Sequence, residues 1–354
     1  MRAKGLLSRL LFATGLASSI GAAWASDACS DYGIIAHADV TVSDGSSFST
    51  EAYYHSANTA AIRHLGASDQ TIAVEGPVAW VQVGEEAELG GDFHKVFALG
   101  HQYHALLENF DAIVPDVRDT AQSFRGQVLP ARSGEYPYGG AVHLVGGRDS
   151  PPLGLVFEFP DAAPIEVVFS EWRTVGGKRE RRERPYRAEI HDGERVFDYS
   201  YTKVENADRS PLWFVEALPA PSLDELRVYR LHRALLAAHC LGDAQLMADL
   251  SAENVVIANR GQLSTTTRTD MRDRFAQVFE RVDYTEYHDL MPPEVRVSET
   301  GDIGWIGVNV RAVGIDRQSG VGFDDQWAWL MTVQKIDGRW LHTANASNIA
   351  TDPR

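Results

Sequence analysis

The sequence has few cysteines, few basic residues and, after residue 25, no long apolar run. Two cysteines among 354 residues are too few for a disulfide-stapled scaffold. The 33 lysines and arginines face 49 aspartates and glutamates, and the resulting net charge of −16 argues against nucleic-acid binding, which needs a basic face. No stretch after residue 25 reaches the ~20 apolar residues of a membrane-spanning helix. The remaining class is an acidic globular protein of about two domains.

Several catalytic signatures are also missing from the sequence. It contains no Gly-x-Ser-x-Gly nucleophile elbow, no phosphate-binding loop and no dinucleotide fingerprint. The sequence therefore predicts no cofactor, apart from the zinc alternative considered below, and leaves open whether the protein is an enzyme.

The first 25 residues have the pattern of a secretory signal peptide. Arg2, Lys4 and Arg9 form a positive segment, an apolar stretch follows at 10–23, and Ala23-Trp24-Ala25 fits a small-x-small cleavage site. We expect cleavage near Ala25 and export to the periplasm or the medium.

The two cysteines, Cys29 and Cys240, allow three interpretations. Cys29 lies close to the cleavage site, but the carboxylate of Asp27 disfavours the lipoprotein interpretation, which prefers small residues before the cysteine. In an oxidising compartment the two thiols could instead form a disulfide, or both could stay unpaired.

A proline-rich seam at 206–222 divides the mature chain into two predicted domains, 26–218 and 222–354. Ser222 and Glu225 predict a capping box at the start of the second domain. The first domain is predicted to be strand-rich, a curved sheet or half-open barrel with one helix at 96–113. Its predicted strands are 36–42, 48–55, 78–84, 141–146, 153–159, 165–172, 186–191 and 195–203.

The second domain is predicted to place helices before strands, an α+β layout. The predicted helices are Leu223–Leu241, Ala244–Asp249 and Asp270–Arg281, and the predicted strands are 294–299, 303–313, 325–335 and 339–346.

Four segments of the second domain resemble the nuclear transport factor 2-like (SnoaL-like) family. They are His232–Asp243, Leu246–Ser251, Asn254–Asn259 and Asp337–Asn348, and their order is that of the family's first helix, short helix, first strand and last hairpin. The resemblance covers about 222–350. It implies an α+β cone whose concave sheet and long helix enclose an apolar pocket, a fold that serves many functions.

The resemblance disfavours one chemistry of that family. In its ketosteroid isomerase branch, a helix tyrosine and a strand carboxylate act on the substrate. Alignment on Gly242-Asp243 places Leu235 at the tyrosine position and Ala258 or Asn259 at the carboxylate position. None of these residues can perform acid–base catalysis.

Other side chains are candidates for lining the cone. His232 and His239 share one helix face and are the candidate catalytic residues if the protein is an enzyme. The predicted pocket residues are Asn259, Trp305, Asn309, Trp327, Trp329, Asn345 and Ser347. Such a pocket would bind an apolar ligand that carries one polar group. The alternative is that the histidines are partly exposed and the tryptophans belong to an ordinary core.

The first domain resembles the periplasmic lipoprotein-carrier (LolA-like) class in its order of elements. The resemblance is carried by an Asp44-Gly45 hairpin, the strand around Val78–Gly84, a helix, further strands and a final hairpin at Asp192–Tyr201. It implies a half-open barrel with a helical lid around a hydrophobic cavity that carries acyl chains.

The spacing of His101, His104 and Glu108 suggests a metal site in the predicted helix. At i, i+3 and i+7 they would share one helix face and could bind zinc with a water as fourth ligand. The alternative is two hydrogen-bonded histidines and a surface glutamate.

The basic run 178–184 is the remaining unusual segment. It is typical of a solvated turn, and the alternative is a peripheral contact with anionic lipids or an acidic partner.

Together these features predict an exported protein that binds an apolar or amphipathic small molecule. The first alternative is a cone-fold isomerase, hydratase or hydrolase with a histidine acid–base group. The second is an interaction module that forms a homodimer.

Overall fold

The computed structural model describes most of the chain between Cys29 and Ala350. The described residues are 29, 32–56, 58–66, 69–135, 140–147, 150–160, 162–175, 182–208, 218, 220–259 and 261–350. The predicted signal peptide, most of the proline-rich seam and residues 178–181 lie outside them. Among the described residues, no helix combines the length and the apolar character needed to cross a membrane.

The fold is α+β and mostly sheet. Thirteen strands form one antiparallel sheet, hereafter the N-terminal sheet, in the order β6-β5-β4-β3-β2-β1-β13-β12-β11-β10-β9-β8-β7. The strands are β1 (Tyr32–Val42), β2 (Ser47–Ser56), β3 (Thr59–Leu65), β4 (Gln70–Glu75), β5 (Val78–Val83), β6 (Glu86–Gly90), β7 (Arg118–Phe124), β8 (Gln127–Glu135), β9 (Ala141–Val145), β10 (Gly154–Glu158), β11 (Ile165–Val175), β12 (Arg182–Asp192) and β13 (Arg195–Asp208). Because β6 and β7 are its two edges, the sheet is open and does not close into a barrel.

One face of the N-terminal sheet, its inner face, packs against two short helices, α1 (Asp92–Gly100) and α2 (Tyr103–Ile113). Alternation along the strands turns Ala36, Leu155 and Tyr201 towards Leu106 and Phe110 of α2. The opposite face of β1 to β5 is also covered, since Ile35, Ala61 and Trp80 pack in one buried cluster with Leu226. Strands buried on both faces are continuously apolar, and for this reason the sequence pattern did not reveal β3 and β4.

The single helix predicted at 96–113 is two helices. α1 ends at Gly100, and the Gln102 side chain donates hydrogen bonds to the carbonyl of Ala98 at 3.0 Å and to that of Ala61 on β3 at 3.1 Å. The break is therefore fixed by a side chain that satisfies the end of α1 and ties it to the sheet.

The second region contains three helices among the described residues, followed and interleaved by seven strands. The helices are α3 (Asp224–Leu241), α4 (Ala244–Asp249) and α5 (Arg268–Arg281). The strands are β14 (Ser251–Asn259), β15 (Gln262–Thr267), β16 (Val282–Asp289), β17 (Glu294–Val297), β18 (Ile303–Asp316), β19 (Val321–Ile336) and β20 (Arg339–Ile349). They form the C-terminal sheet in the order β15-β14-β20-β19-β18-β16, with β17 also paired to β18.

Helix α3 begins one residue later than predicted, and the capping-box prediction is wrong. Leu223 is the N-cap and contributes no side-chain hydrogen bond. The Ser222 hydroxyl instead accepts a hydrogen bond from the backbone N–H of Ala87 at 2.9 Å, which links the two regions. At the other end of α3, Gly242 takes the left-handed conformation (φ 63°) and Asp243 caps α4.

A buried polar cluster joins the two regions. Trp80 Nε1 donates to Glu75 Oε1 at 2.8 Å, and Arg230 Nε of α3 lies 3.5 Å from the same oxygen. The Tyr229 hydroxyl donates to the backbone carbonyl of Glu75. A second link is a disulfide between Cys29 and Cys240, whose Cα atoms are 5.0 Å apart.

Candidate binding site

A cavity of about 350 Å³ lies between the inner face of the N-terminal sheet and α1. Most of its wall is apolar. Eight phenylalanine and tyrosine side chains line it: Phe48, Phe93, Phe97, Tyr103, Phe157, Phe159, Phe197 and Tyr199. The cavity is therefore a predominantly apolar space within the first predicted domain.

Helical and strand periodicity place these rings on the cavity. Phe93, Phe97 and His101 follow one another at intervals of four residues, so they share the face of α1 that lines the cavity. Phe197 and Tyr199 are alternate residues of β13 and point to the same side of the sheet. Phe93 and Phe97 of α1, with His101 directly after its end, are a sequence signal of the cavity that the zinc-site prediction from His101, His104 and Glu108 does not include.

Two imidazoles contact the ring of Phe97. The centroid of the Phe97 ring lies 4.2 Å from that of His101 and 5.8 Å from that of His64. Burial lowers the pKa of His64 to about 4 and also lowers the pKa of His101. Both rings are therefore neutral near pH 7.

The cavity has a polar end formed by hairpin tips. Ser46 and Ser47 contribute from the β1–β2 hairpin, and Asp192 and Arg195 contribute from the β12–β13 hairpin. Arg195 Nη2 lies 3.6 Å from Asp44 Oδ2. Burial raises the pKa of the Asp192 carboxyl group, and nearby Arg195 opposes this effect. A ligand in the cavity would thus meet rings along its length and charges only at this end.

The three residues predicted to bind zinc are not brought together. His101 lines the cavity, His104 packs its ring against Tyr201 with centroids 4.6 Å apart, and Glu108 pairs with Arg182 at 2.9 Å and Arg184 at 2.6 Å. Because the helix breaks before Gln102, the expected i, i+3, i+7 face does not exist. Within the described ranges, no group of three or more His, Cys, Asp or Glu side chains could hold a metal ion.

Part of the basic run is committed to internal contacts. The Arg184 side chain is 2% exposed and donates to Glu108 and to Asn206. It therefore lies inside the protein and not on a surface that could face lipid.

In the second region, His232 forms a buried pair with Asp289. His232 Nε2 lies 2.7 Å from Asp289 Oδ1, and both side chains are 0% exposed. Arg233 Nη1 is 3.9 Å from the other carboxylate oxygen, and the ring of Trp329 meets His232 edge-on at 5.9 Å. This is the geometry of an imidazole oriented by a carboxylate.

His239 has aromatic neighbours. Its ring stacks on Tyr287 with centroids 4.1 Å apart, and its Nδ1 donates to the carbonyl of Leu235 at 2.8 Å. Phe275 and Phe279 contact it edge-on. Burial lowers the pKa of His239 to about 4, so the imidazole is a neutral member of this aromatic cluster.

The predicted pocket residues of the cone lie on opposite faces of the C-terminal sheet. Trp327 and Trp329 pair with Val310 and Val308, which face α3. Trp305 and Asn309 alternate with those valines and therefore lie on the outer face. Five residues remain on the helix-facing side: Asn259, Trp327, Trp329, Asn345 and Ser347. The expectation that all seven line one pocket is wrong, because it did not account for strand register.

Two of these five also border a shallow depression. Asn259 of β14 and its partner Ser347 of β20 lie beside a space of about 420 Å³ that also touches Gly261 and Gln262 of the β14–β15 hairpin. It lies at the edge of the sheet and away from His232 and His239.

Comparison with known proteins gives structural neighbours only. No family model matches the chain, and no curated protein sequence matches it. A ketosteroid isomerase-like protein from Erwinia carotovora atroseptica is 14% identical, with 36% of this chain and 98% of that chain covered and a TM-score of 0.32. A nuclear transport factor 2-like protein from Salmonella enterica is 10% identical, with 37% and 94% covered and a TM-score of 0.33. One from Cytophaga hutchinsonii is 15% identical, with 35% and 95% covered and a TM-score of 0.30.

These neighbours cover about a third of the chain, and their TM-scores are too low to carry an inference about function. Nothing in the comparisons supports the resemblance of the first region to lipoprotein carriers.

Proposed function

We propose that the protein is exported and binds an apolar or amphipathic small molecule in the cavity beneath α1. The observation that carries this proposal is the aromatic cavity of about 350 Å³ with one polar end. Protein interiors rarely leave voids larger than a water molecule, and small-molecule sites typically measure ~300–1,000 Å³. A space of this size and lining is therefore expected where a ligand binds.

We further propose that the N-terminal sheet curves around this ligand as a half-open barrel. His64 on β3 and Phe157 on β10 line the same cavity, although five strands separate β3 from β10 in the sheet. In a flat sheet six strand spacings would place them about 29 Å apart. Curvature of the open sheet is what allows both to contact one small ligand.

A cavity-filling variant tests the binding proposal. Val96 of α1 lines the cavity, and Val96→Trp would occupy the space that a ligand needs. We expect the wild-type chain to bind the neutral hydrophobic probe N-phenyl-1-naphthylamine, measured by fluorescence titration, and Val96→Trp to weaken that binding at least ~10-fold, or about 1.4 kcal/mol.

The matched control is Val128→Trp, since Val128 lies on β8 with its side chain exposed. This variant should bind as the wild type does. Equal binding by Val96→Trp and the wild type would exclude this cavity, and no binding by any of the three chains would count against the proposal as a whole. Native mass spectrometry of the exported protein would show its first residue and any co-purifying ligand.

The second candidate function is acid–base catalysis as an isomerase, hydratase or hydrolase, and the His232–Asp289 pair favours it. An imidazole held by a buried carboxylate is a common arrangement for a general base. If turnover is found in a screen of these reaction classes, His232→Gln should lower the rate by about 10²–10⁴-fold. His239→Gln should have a much smaller effect, because His239 has aromatic neighbours and no carboxylate partner.

A third candidate, a dimerisation module, is favoured by the outer face of the C-terminal sheet. Strand register aligns a row of apolar and small residues across five strands: Leu263, Ala258, Ala346, Leu330 and Gly307. Leu263 is 76% exposed and Leu330 49%. If this row is a dimer interface, Leu330→Glu should convert a dimer to a monomer in gel filtration, and Val128→Glu should not.

A further inference from the structure

The cavity lining also indicates which class of molecule would fit it. Resting on the proposed binding function, we infer that the ligand is a flat aromatic molecule carrying a hydroxyl or N–H group, and that this group donates a hydrogen bond to Nε2 of His101. Three observations on the cavity wall carry the inference.

The first observation is the direction of the His101 ring. Its Nδ1 lies 2.7 Å from the carbonyl oxygen of Phe97, one turn earlier. A carbonyl can only accept, so Nδ1 carries the proton and Nε2 of the neutral ring carries a lone pair. Nε2 lies on the far side of the ring from that carbonyl, on a residue that lines the cavity. None of the described side chains donates to it.

The second observation is that rings outnumber aliphatic side chains on the wall. Eight phenylalanine and tyrosine rings line the cavity, against five aliphatic side chains: Val42, Leu65, Val96, Ile165 and Ile190. Aromatic pairs in offset or edge-on geometry contribute ~0.5–1.5 kcal/mol beyond the area they bury. An aliphatic chain gains only the area term. The wall therefore favours a flat ring system over a saturated acyl chain.

The third observation is the distribution of charge. His64 and His101 are neutral near pH 7, and the charged side chains of the wall, Asp192 and Arg195, lie at the polar end. Apart from Asp192 and Arg195, the lining offers no counter-ion to an ionised group of the ligand. A neutral donor, such as a phenolic hydroxyl, is the polar group that this part of the wall can satisfy.

Matched probes separate the ring from the donor. The probes are 2-naphthol, which has both, 2-methoxynaphthalene, which keeps the rings and lacks the donor, and 1-dodecanol, which keeps a hydroxyl without a ring. We expect the wild type to bind 2-naphthol about 10-fold more tightly than 2-methoxynaphthalene, which corresponds to about 1.4 kcal/mol for one buried hydrogen bond. Calorimetry or displacement of N-phenyl-1-naphthylamine gives the three affinities.

His101→Phe keeps a ring of similar shape and removes the acceptor. In this variant the preference for 2-naphthol over 2-methoxynaphthalene should fall to about 1. The matched control is His37→Phe, because His37 is a partly buried histidine of β1 that does not line the cavity. It should retain the wild-type preference.

A measurement on the unmodified protein covers the case in which His101→Phe does not fold. In the ¹⁵N spectrum, addition of 2-naphthol should shift His101 Nε2 and leave Nδ1 nearly unchanged, and 2-methoxynaphthalene should not reproduce the shift. No shift of Nε2, or a 10-fold preference that survives in His101→Phe, would overturn the inference. Tightest binding of 1-dodecanol would also overturn it while leaving the proposed binding function intact. Binding of no probe at all would instead count against the binding function itself.

Discussion

The two sheets differ in how tightly their helices pack against them. α3 is 18 residues long and buries eleven of them between the two sheets, as Val228 packs in the core of the C-terminal sheet and Leu226 packs with strands of the N-terminal sheet. α1 is nine residues long and buries only Ala98 and Leu99, at its end, while its aromatic side chains line the cavity. The long helix of the second region is the kind of element from which sequence reasoning predicted a pocket. The short helix α1 of the first region is the one that leaves a cavity beneath it.

The difference extends to how the helices are held. α3 packs through a continuous apolar cluster that includes Val228, Leu235 and Ile306. α2, in addition to its apolar contacts, is anchored to β12 by the ion pair between Glu108 and the buried Arg184. A helix pair held partly by polar contacts can cover a sheet without filling the space beneath it.

The largest expected effect is loss of that anchor. Arg184→Met leaves the Glu108 carboxylate without its buried partner, and we expect the free energy of unfolding to fall by about 3–5 kcal/mol, measured by urea denaturation. Arg182→Met is the control, because Arg182 pairs with the same carboxylate but its side chain is 40% exposed. It should cost less than about 1 kcal/mol. Equal losses would mean that burial of the anchor is unimportant.

The next largest effect is expected from a substitution in the well-packed part of the N-terminal core, compared with one in the cavity wall. Leu106 of α2 is buried against the inner face, so Leu106→Ala should lower the free energy of unfolding by about 2–5 kcal/mol. Phe97→Ala should cost less, although the side chain is larger, because its ring borders space that is already open. If Phe97→Ala proved the more costly change, the cavity would have to be filled in the protein as purified.

Removal of the disulfide tests whether the C-terminal region depends on the segment that precedes the N-terminal sheet. The double variant Cys29→Ser, Cys240→Ser should lower the free energy of unfolding by about 2–4 kcal/mol. Reduction of the wild type with dithiothreitol should cause the same loss, and mass spectrometry after alkylation counts the free thiols. Two free thiols in the oxidised protein would contradict the pairing.

The smallest expected effect is the dependence of the free energy of unfolding on pH, which involves buried histidines in both regions. Burial lowers the pKa of His104 to about 3 and the pKa values of His239 and His342 to about 4, against 6.5 in the unfolded chain. Below pH 6.5 the unfolded chain therefore binds more protons than the folded one, and stability falls as the pH falls. Each such histidine contributes up to about 1.4 kcal/mol per pH unit.

This dependence can be assigned to one region by substitution. His104→Phe should reduce the slope of unfolding free energy against pH between pH 6 and pH 4, and should do so without a matching change above pH 7. An unchanged slope would show that His104 is solvated. His37, which is only partly buried, is a suitable control position for the same substitution.

Much of the fold could be predicted from local patterns, and the errors have physical causes. α4 was predicted with its observed bounds, and the alternation of Tyr199 and Tyr201 with polar neighbours identified β13. β3 and β4 were missed because burial on both faces removes alternation, and β7 because an edge strand is largely polar. The break at Gln102 was missed because it depends on a hydrogen bond to β3, 41 residues away.

The candidate site was less predictable than the fold. The spacing of Phe93, Phe97 and His101 is visible in the sequence, but the opposite wall comes from β10, β12 and β13. Which strands face α1 is a property of strand order, which no local pattern encodes. The same limit explains why Trp305 was grouped with Trp329: their faces follow from strand register, and register is set by pairing between distant segments.

The position of β1 beside β13 has a consequence for how the chain folds. Every other neighbouring pair in the N-terminal sheet joins strands that are consecutive in sequence, so the two halves β1–β6 and β7–β13 can each form hairpin by hairpin. The β1–β13 pairing, in which Tyr32 pairs with Asp208, is the exception. Closing it requires the ends of a long segment to meet, which costs loop entropy and slows folding. Formation of the β1–β13 pairing is therefore expected to be the rate-limiting step in the folding of the N-terminal sheet, and thus of the cavity.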